Sequence, residues 1–271
     1  MCAACVNPVR HYGLRCGLLR PGDSADMALV HDLRDFRVHR TWIRGECVAQ
    51  DGRSNWQHLE IEAPNAFREA RFTADDFMIA SKAAHARVRV ITPQDGELVT
   101  GEAQATLQVV NGVVEPDAAQ DVLLIVVVNR YSEAPPAVAF IRGFGIGQGA
   151  IASSVAHDCH NVVAVGGSRQ AIAEVVNAVF ERRGGVAVRD AEGVHIRGLT
   201  IAGLMSVRPF EIVADAYETM SARVRAMGSP LQAPFMTLSF MALLVIPALK
   251  LGDRGLFDGR AFRFVEVVQG A

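Results

Sequence analysis

The sequence predicts an α+β fold in which a mixed or antiparallel sheet is covered by helices. Three observations predict it: seven consecutive aliphatic residues from Val122 to Val128, an Asn111-Gly112 turn between β-branched residues, and two stretches with apolar residues at helical spacing. Half of the 271 residues are hydrophobic. That proportion is enough for a sizeable core, and it excludes a disordered chain.

Residues 1–50 form the first predicted block. A short helix-like stretch begins near Asn7, turn-forming residues follow from Gly17 to Asp26, and brief strands are expected over Met27 to Val30 and Arg37 to Ile43, closed by a tight turn at Gly45. Isolated hairpins are marginal in water. We therefore expect these strands to belong to the edge of a larger sheet.

Residues 51–70 are polar and contain Gly, Ser, Asn and Pro, which is typical of a linker. Residues 71–271 form the main predicted α+β domain. Its expected strands are Ala86 to Ile91, Ala105 to Val110, Val113-Val114, Val122 to Val128, Val138 to Ile141 and Val162 to Val165. Its expected helices are Arg169 to Arg182 and Pro209 to Met227. Uniformly aliphatic strands are buried on both faces, so helices should cover them.

Charge and cysteine content narrow the function classes. The 27 basic and 29 acidic residues nearly balance, so we expect neither nucleic acid nor an anionic membrane as a partner. The apolar stretch Phe235 to Leu249 is interrupted by Pro247 and is too short for a membrane span, which predicts a buried core segment. An odd number of cysteines and no apolar leader after Met1 predict a cytoplasmic protein.

Three motifs have simple structural interpretations. Cys2 and Cys5 have the spacing of a redox or metal-binding pair, but no second cysteine pair follows them in the sequence. His58-Leu59-Glu60 fits the first half of a zinc deaminase motif, but the cysteine pair of the second half is absent. The Gly143 to Ala150 segment resembles a dinucleotide fingerprint. The segment after it is too short for the required helix, so the glycines favour a sharp turn or a close backbone approach.

The densest group of reactive side chains follows this turn: His157, Asp158, Cys159, His160 and Asn161. Imidazole, thiolate and carboxylate are metal ligands, and a His-x-x-His pair such as His157 and His160 can converge on one ion if the backbone turns. The alternative is a set of polar residues that satisfy one another at the end of a strand. The chemistry alone leaves both interpretations open.

The stretch from Gly143 through Ser153-Ser154 to Asn161 resembles the C-terminal domain of adenine deaminases, in the amidohydrolase superfamily. Residues 1–50 resemble the end of the amidohydrolase domain: Asn7 to Leu14 resembles its last barrel helix, Gly17 to Asp26 a turn of the superfamily, and Asp32 to Val38 with Thr41 to Gly45 the strands of the small β domain that flanks the barrel. Ile201 to Ser206 and Pro234 to Phe240 extend the resemblance over nearly the whole chain. Two positions depart from it. Cys159 stands where serine is expected, and Gly252 where threonine is expected.

The resemblance implies hydrolysis of adenine to hypoxanthine and ammonia in purine salvage, with a divalent metal, manganese or iron, activating water. The family's H-x-H ligand motif does not occur in this sequence. We therefore expect a chain that lacks the metal-bearing barrel, is inactive alone, and can require a separately encoded barrel polypeptide. A homo-oligomer is also expected.

The family's catalytic residues cannot be carried over to this chain, so the candidate roles rest on the polar cluster itself, which is costly to bury for packing alone. His157, Asp158 and His160 are the candidate catalytic residues, expected near the mouth of the active site, and Ser153, Ser154 and Asn161 are expected to shape substrate access. His157 and His160 are the candidate metal ligands within this chain. The alternative function is a non-catalytic module for assembly or for binding a metal or small molecule.

Overall fold

The structure, a computed structural model, describes residues 1–56 and 62–270. The chain divides into two compact units, Met1–Glu60 and Ile61–Ala271. His58 and Glu60, the half motif of a zinc deaminase, lie outside the described residues. The predicted boundaries at 1–50, 51–70 and 71–271 stay a prediction.

Among its described residues, the first unit contains a short π-helical segment (Cys2–Val6), one short α-helix and one antiparallel sheet in the order β1-β2-β3-β4. Its elements are α1 (Asn7–Tyr12), β1 (Met27–Val30), β2 (Val38–Ile43), β3 (Glu46–Gln50) and β4 (Arg53–Ser54). The predicted turn at Gly45 is confirmed, with φ of 52° at Arg44 and 83° at Gly45. Strands β3 and β4 were not predicted; β4 lies within the polar stretch interpreted as a linker, and β3 ends directly before it.

The second unit is built on a nine-stranded sheet in the order β13-β12-β10-β11-β8-β9-β5-β6-β7. Its neighbouring strands are antiparallel except for the parallel pair β5 and β9. The strands are β5 (His85–Pro93), β6 (Thr100–Val110), β7 (Val113–Val114), β8 (Leu123–Val128), β9 (Ala137–Ile141), β10 (Ala150–Ser153), β11 (Val162–Gly166), β12 (Gly185–Asp190) and β13 (Gly193–Gly198). The predicted mixed sheet is confirmed.

Three helices and a small second sheet complete this unit. They are α2 (Arg169–Glu181), α3 (Phe210–Ala226), α4 (Pro234–Phe240), β14 (Leu249–Gly252), β15 (Gly255–Asp258) and β16 (Arg263–Phe264). The two long helices agree with their predicted ranges to within one residue at each end. The predicted core segment from Phe235 to Leu249 contributes to α4 and β14, and most of its residues are buried.

Two apolar cores lie on the two faces of the large sheet. Along β8, Leu124 and Val126 face one core, which is covered by α2. Leu123 and Ile125 face the other core, to which α3 contributes Met220 and Val224 and α4 contributes Phe235 and Leu238. This alternation explains why β8 is aliphatic at every position, because each residue faces a helix-covered core. The α+β class with helices over the sheet is confirmed.

No described helix combines the length and the apolar character that a bilayer span requires.

Candidate functional site

The glycine-rich turn between β9 and β10 begins the candidate site. Gly143 and Gly145 have φ of 88° and 61°, a region that favours glycine. Their backbone N–H groups donate to the carboxylate of Asp121 at 2.6 and 2.9 Å. Because the protein's own carboxylate takes these donors, the turn does not offer them to a nucleotide phosphate.

Close packing explains further glycines around this turn. A β-carbon added at Gly167, just after β11, would overlap the carbonyl oxygen of Gly147. At Gly149 it would lie 2.9 Å from the carbonyl oxygen of Arg189 in β12. The turn therefore sits tightly against its neighbours, as the interpretation of a close backbone approach predicts.

Ser153 and Ser154, at the end of β10, have different surroundings although both are buried. The hydroxyl of Ser154 donates to the carbonyl oxygen of Gly203 at 2.5 Å and accepts from the N–H of Gly185 at 2.8 Å. The hydroxyl of Ser153 accepts from the N–H of Val155 at 3.0 Å, and its side chain lines a cavity. Ser154 therefore joins segments of the backbone, whereas the side chain of Ser153 lines the cavity.

His157 lies on the same cavity as Ser153 and is fixed by α4. Its backbone N–H donates to the carbonyl oxygen of Ser239 at 3.1 Å, and its Nδ1 lies 3.1 Å from the Ser239 hydroxyl. That hydroxyl donates its single proton to the carbonyl oxygen of Met236 at 2.8 Å, so it accepts from His157. The hydrogen bonds therefore assign the proton to Nδ1 and leave Nε2 as an acceptor.

Residues 157–161 form a histidine-rich loop between β10 and β11. The second half of this loop makes hydrogen bonds to residues outside α4. The backbone N–H of His160 donates to the carbonyl oxygen of Ala156 at 2.7 Å, and the amide oxygen of Asn161 accepts from the N–H of Arg130 at 3.3 Å. The hydroxyl of Tyr131 donates to the carbonyl oxygen of Cys159 at 3.2 Å. Asn161 and the carbonyl of Cys159 thus tie this half of the loop to the chain that follows β8.

Arg130 is the main charged neighbour of this half of the loop, and it is 95% buried. Its guanidinium donates to the carbonyl oxygen of Ala202 at 2.6 Å and lies over the rings of Phe67 and Tyr131, with carbon-to-centroid distances of 5.0 and 4.8 Å. Arg130 was not among the residues predicted from the sequence. The available signal was a charged residue two positions after the uniformly aliphatic strand β8.

His160 has unmet hydrogen-bonding capacity. Its Nδ1 is buried and has no hydrogen-bond partner among the described residues. Burial lowers the pKa of its imidazole, and the positive charge of Arg130 lowers it further. The neutral imidazole is therefore favoured at neutral pH.

Burial raises the pKa of the Cys159 thiol, and the carboxylates of Asp253 and Asp158 also raise it, although the residue as a whole is exposed. A thiol is a much weaker metal ligand than a thiolate, so this cysteine is poorly suited to bind a metal at neutral pH.

The cavity beside His157 has a volume of about 570 Å³ and is lined by residues of β10, β12, β13, α3 and α4. Apolar side chains form most of its wall. Its polar groups include His157, Ser239, Arg197, Arg208 and Tyr217. A mostly apolar cavity of this size with a few polar groups fits a small organic ligand.

The histidine-rich loop does not gather three metal ligands. Within residues 1–56 and 62–270, two groups of three His, Cys, Asp or Glu residues have ligand atoms within 4.8 Å of one another: His31 with His39 and Asp51, and Asp190 with Glu192 and His195. Neither includes His157, Asp158 or His160. The metal implied by the resemblance therefore finds no three-ligand set in this loop, and the assignment of His157 and His160 as ligands stays a prediction.

Fold and site together define an α+β domain with a ligand-sized cavity beside a glycine turn and a histidine-rich loop. Comparison with known proteins then identifies the family. Residues 97–263 match the family model of the adenine deaminase C-terminal domain. The adenine deaminase of Salinibacter ruber is 50% identical over 97% of this chain, that of Methanosarcina barkeri 46% over 99%, and that of Sulfurovum sp. 47% over 97%. The chain belongs to the adenine deaminase family.

The chain spans about half the length of these curated relatives: 48% of the Salinibacter ruber protein, 50% of the Methanosarcina barkeri protein and 48% of the Sulfurovum protein. The family match includes the glycine turn, the histidine-rich loop, and helices α3 and α4.

Proposed function

We propose that this chain supplies the C-terminal domain of an adenine deaminase, which hydrolyses adenine to hypoxanthine and ammonia in purine salvage. The observation that carries the proposal is the family match over 97–263, which includes both His157 and the helices that form the cavity beside it. The relatives named adenine deaminase cover almost the whole chain and support the same assignment.

The metal centre is proposed to come from a barrel segment outside these 271 residues. When bound, a divalent metal, manganese or iron, would supply a water of lowered pKa at neutral pH. Support comes from the histidine-rich loop, which offers no three-ligand set. A separately encoded barrel polypeptide is one source of that segment.

This chain's own residues would bind and position the purine. The acceptor Nε2 of His157 suits an N–H donor of a purine base, and Ser239 holds the imidazole in that tautomer. Ser153 shares the wall of the cavity with His157, while Ser154 and Asn161 hold the strand and loop in place. Asp158 and His160 complete the proposed access route, with the buried Nδ1 of His160 available for a further hydrogen bond.

A cytoplasmic homo-oligomer is the proposed setting of the assembled enzyme. The five cysteines are all free, which agrees with a reducing compartment.

Reconstitution tests the proposed function. The chain, a barrel-bearing polypeptide of the family, and the two together would be purified from a host without adenine deaminase, and hypoxanthine formation measured in each. We expect turnover in the pair alone, and a lower rate for His157→Gln but not for His195→Gln. Absence of turnover in a stable pair would contradict the proposed activity, and turnover by this chain alone would contradict an external metal centre.

The cavity favours a second candidate function, a non-catalytic domain that binds a small molecule. Its volume of about 570 Å³ and the two arginines in its wall would suit a planar heterocycle or a small anion. Titration calorimetry of the chain alone with adenine and with hypoxanthine distinguishes the two functions. Saturable binding that weakens in His157→Ala, combined with an inactive reconstituted pair, would favour the binding domain.

A further inference from the structure

A group of two histidines and one aspartate lies in the first unit, far along the chain from the residues considered above. His31 follows β1, His39 lies in β2, and Asp51 follows β3. Their ligand atoms lie within 4.8 Å of one another. We infer that His31, His39 and Asp51 form a binding site for one divalent transition-metal ion, an inference that goes beyond the proposed deaminase function.

The sheet itself brings His39 to this position. Leu29 of β1 pairs with Arg40, whereas the next residue, Val30, pairs with Val38. His39 is therefore the extra residue of a β-bulge. Bulges redirect a side chain from its regular alternation, and they occur often beside functional sites.

The hairpin turn between β3 and β4 determines the position of Asp51. Asp51 and Gly52 both have positive φ, 49° and 77°, and they connect β3 to β4. This is the geometry of a two-residue hairpin turn, for which Asp-Gly is a preferred sequence. The backbone N–H of Asp51 donates to the carbonyl oxygen of His39 at 2.8 Å, so the bulge and the turn lie side by side.

The side chains already face one another. Nδ1 of His39 lies 2.7 Å from the carboxylate of Asp51, and the rings of His31 and His39 have centroids 5.2 Å apart with an interplanar angle of 48°. Two imidazoles and one carboxylate suit zinc, cobalt, nickel or iron in the divalent state.

The second group of potential ligands in the described residues provides a contrast. In the group of Asp190, Glu192 and His195, the guanidinium of Arg223 already donates to both carboxylates at 2.8 and 3.0 Å. That cation supplies the positive charge that a metal would bring. His31, His39 and Asp51 have no corresponding arginine contact among the described residues, so their site accepts a metal more readily.

The first unit would gain stability from such an ion. Among its described residues, Val9 and Val48 are the buried apolar ones. Small sheets with little core gain most from a metal that joins their strands, because an ion bound only to the folded state shifts the folding equilibrium. The proposed ion would join the segments following β1 and β3 to strand β2.

Metal titration tests the site. The untagged chain, freed of metal by chelator dialysis, would be titrated with Co²⁺ by visible absorption and with Zn²⁺ by calorimetry. We expect one equivalent bound in the micromolar range, weakened about ten-fold or more in His39→Ala, His31→Ala and Asp51→Asn. The control variants His85→Ala and His195→Ala should bind as tightly as the parent chain.

Unchanged affinity in His39→Ala, or no saturable binding by the parent chain, would overturn the inference. A second measurement covers variants that fail to fold. Zn²⁺ added to the parent chain should shift the imidazole resonances of His31 and His39, while shifts confined to other histidines would also overturn it.

Discussion

His157 and Ser239 are 82 residues apart in sequence, yet their side chains are joined by a 3.1 Å hydrogen bond at the wall of the cavity. Since the Ser239 hydroxyl donates its only proton to the carbonyl oxygen of Met236, the hydrogen bond between Ser239 and His157 has a defined direction, with the histidine as donor. One helix hydroxyl thus determines which imidazole nitrogen remains free to accept a hydrogen bond from a ligand.

Replacing Ser239 with alanine should remove the preference of the His157 imidazole for carrying its proton on Nδ1. We expect the free energy of unfolding to fall by about 1–3 kcal/mol, because the hydroxyl loses two partly buried hydrogen bonds, one from His157 and one to Met236. Adenine turnover in the reconstituted pair should fall several-fold. Urea denaturation and ¹⁵N spectra of the His157 ring measure the two effects. Ser206→Ala, at another serine of the cavity wall, is the control, and an unchanged ¹⁵N tautomer signature in Ser239→Ala would contradict the assignment.

Asp121 should be the main stabiliser of the glycine turn. Its carboxylate accepts from both Gly143 and Gly145. We expect Asp121→Ala to lower the free energy of unfolding by about 2–3 kcal/mol, because two partly buried donors lose a charged acceptor. Asp121→Asn should cost less, since asparagine keeps an acceptor and tolerates the φ of 52° at this position.

Urea denaturation of both Asp121 variants checks this order. Asp215→Ala is a suitable control, because Asp215 is exposed and only its backbone oxygen accepts a hydrogen bond from Thr219. Equal stability of Asp121→Ala and the parent chain would show that the turn does not depend on this carboxylate.

Local sequence patterns predicted most of the central sheet. The Asn111-Gly112 hairpin and strand β8 depend on turn chemistry and on burial of both faces, and both leave a clear pattern in the sequence. Strands β10, β12 and β13 were not predicted. In β13 every residue is exposed or only partly buried. The strand therefore shows only a weak hydrophobic pattern in the sequence.

The candidate site was predicted less completely than the fold. The sequence singled out His157 and Ser153, which meet at the cavity, but the cavity itself is closed by α3 and α4 from later in the chain. Arg130 and Ser239 contact the loop only through long-range packing. No local pattern relates Ser239 to His157, because their contact depends on how α4 lies against the sheet.

Arg130 should control the protonation of His160. Burial and the nearby guanidinium both lower the pKa of His160. Replacing Arg130 with methionine removes the second cause, so the pKa should rise towards the ordinary value for histidine. NMR titration of the His160 ring measures this change. His195 provides the reference titration, and a His160 pKa that stays constant or falls would contradict the electrostatic role of Arg130.

Lys250 should make stability depend on alkaline pH. Its side chain is fully buried, and its ammonium donates to the carbonyl oxygens of Leu98 and Phe240 at 2.6 and 3.0 Å. Burial lowers the pKa of Lys250 from 10.5 to about 8. Between these values the unfolded chain binds more protons than the folded chain, so this lysine makes the free energy of unfolding rise with pH.

Because of Lys250, the free energy of unfolding should rise by about 3 kcal/mol between pH 8 and 10.5. Below pH 8 the lysine is protonated in both the folded and the unfolded state, so it should contribute no such rise. Urea denaturation of the parent chain and of Lys250→Met across this range measures the difference. The other lysine, the exposed Lys82, provides the matched control Lys82→Met. If Lys250→Met keeps the pH slope of the parent chain, the slope comes from other groups and the buried ammonium titrates near its ordinary value.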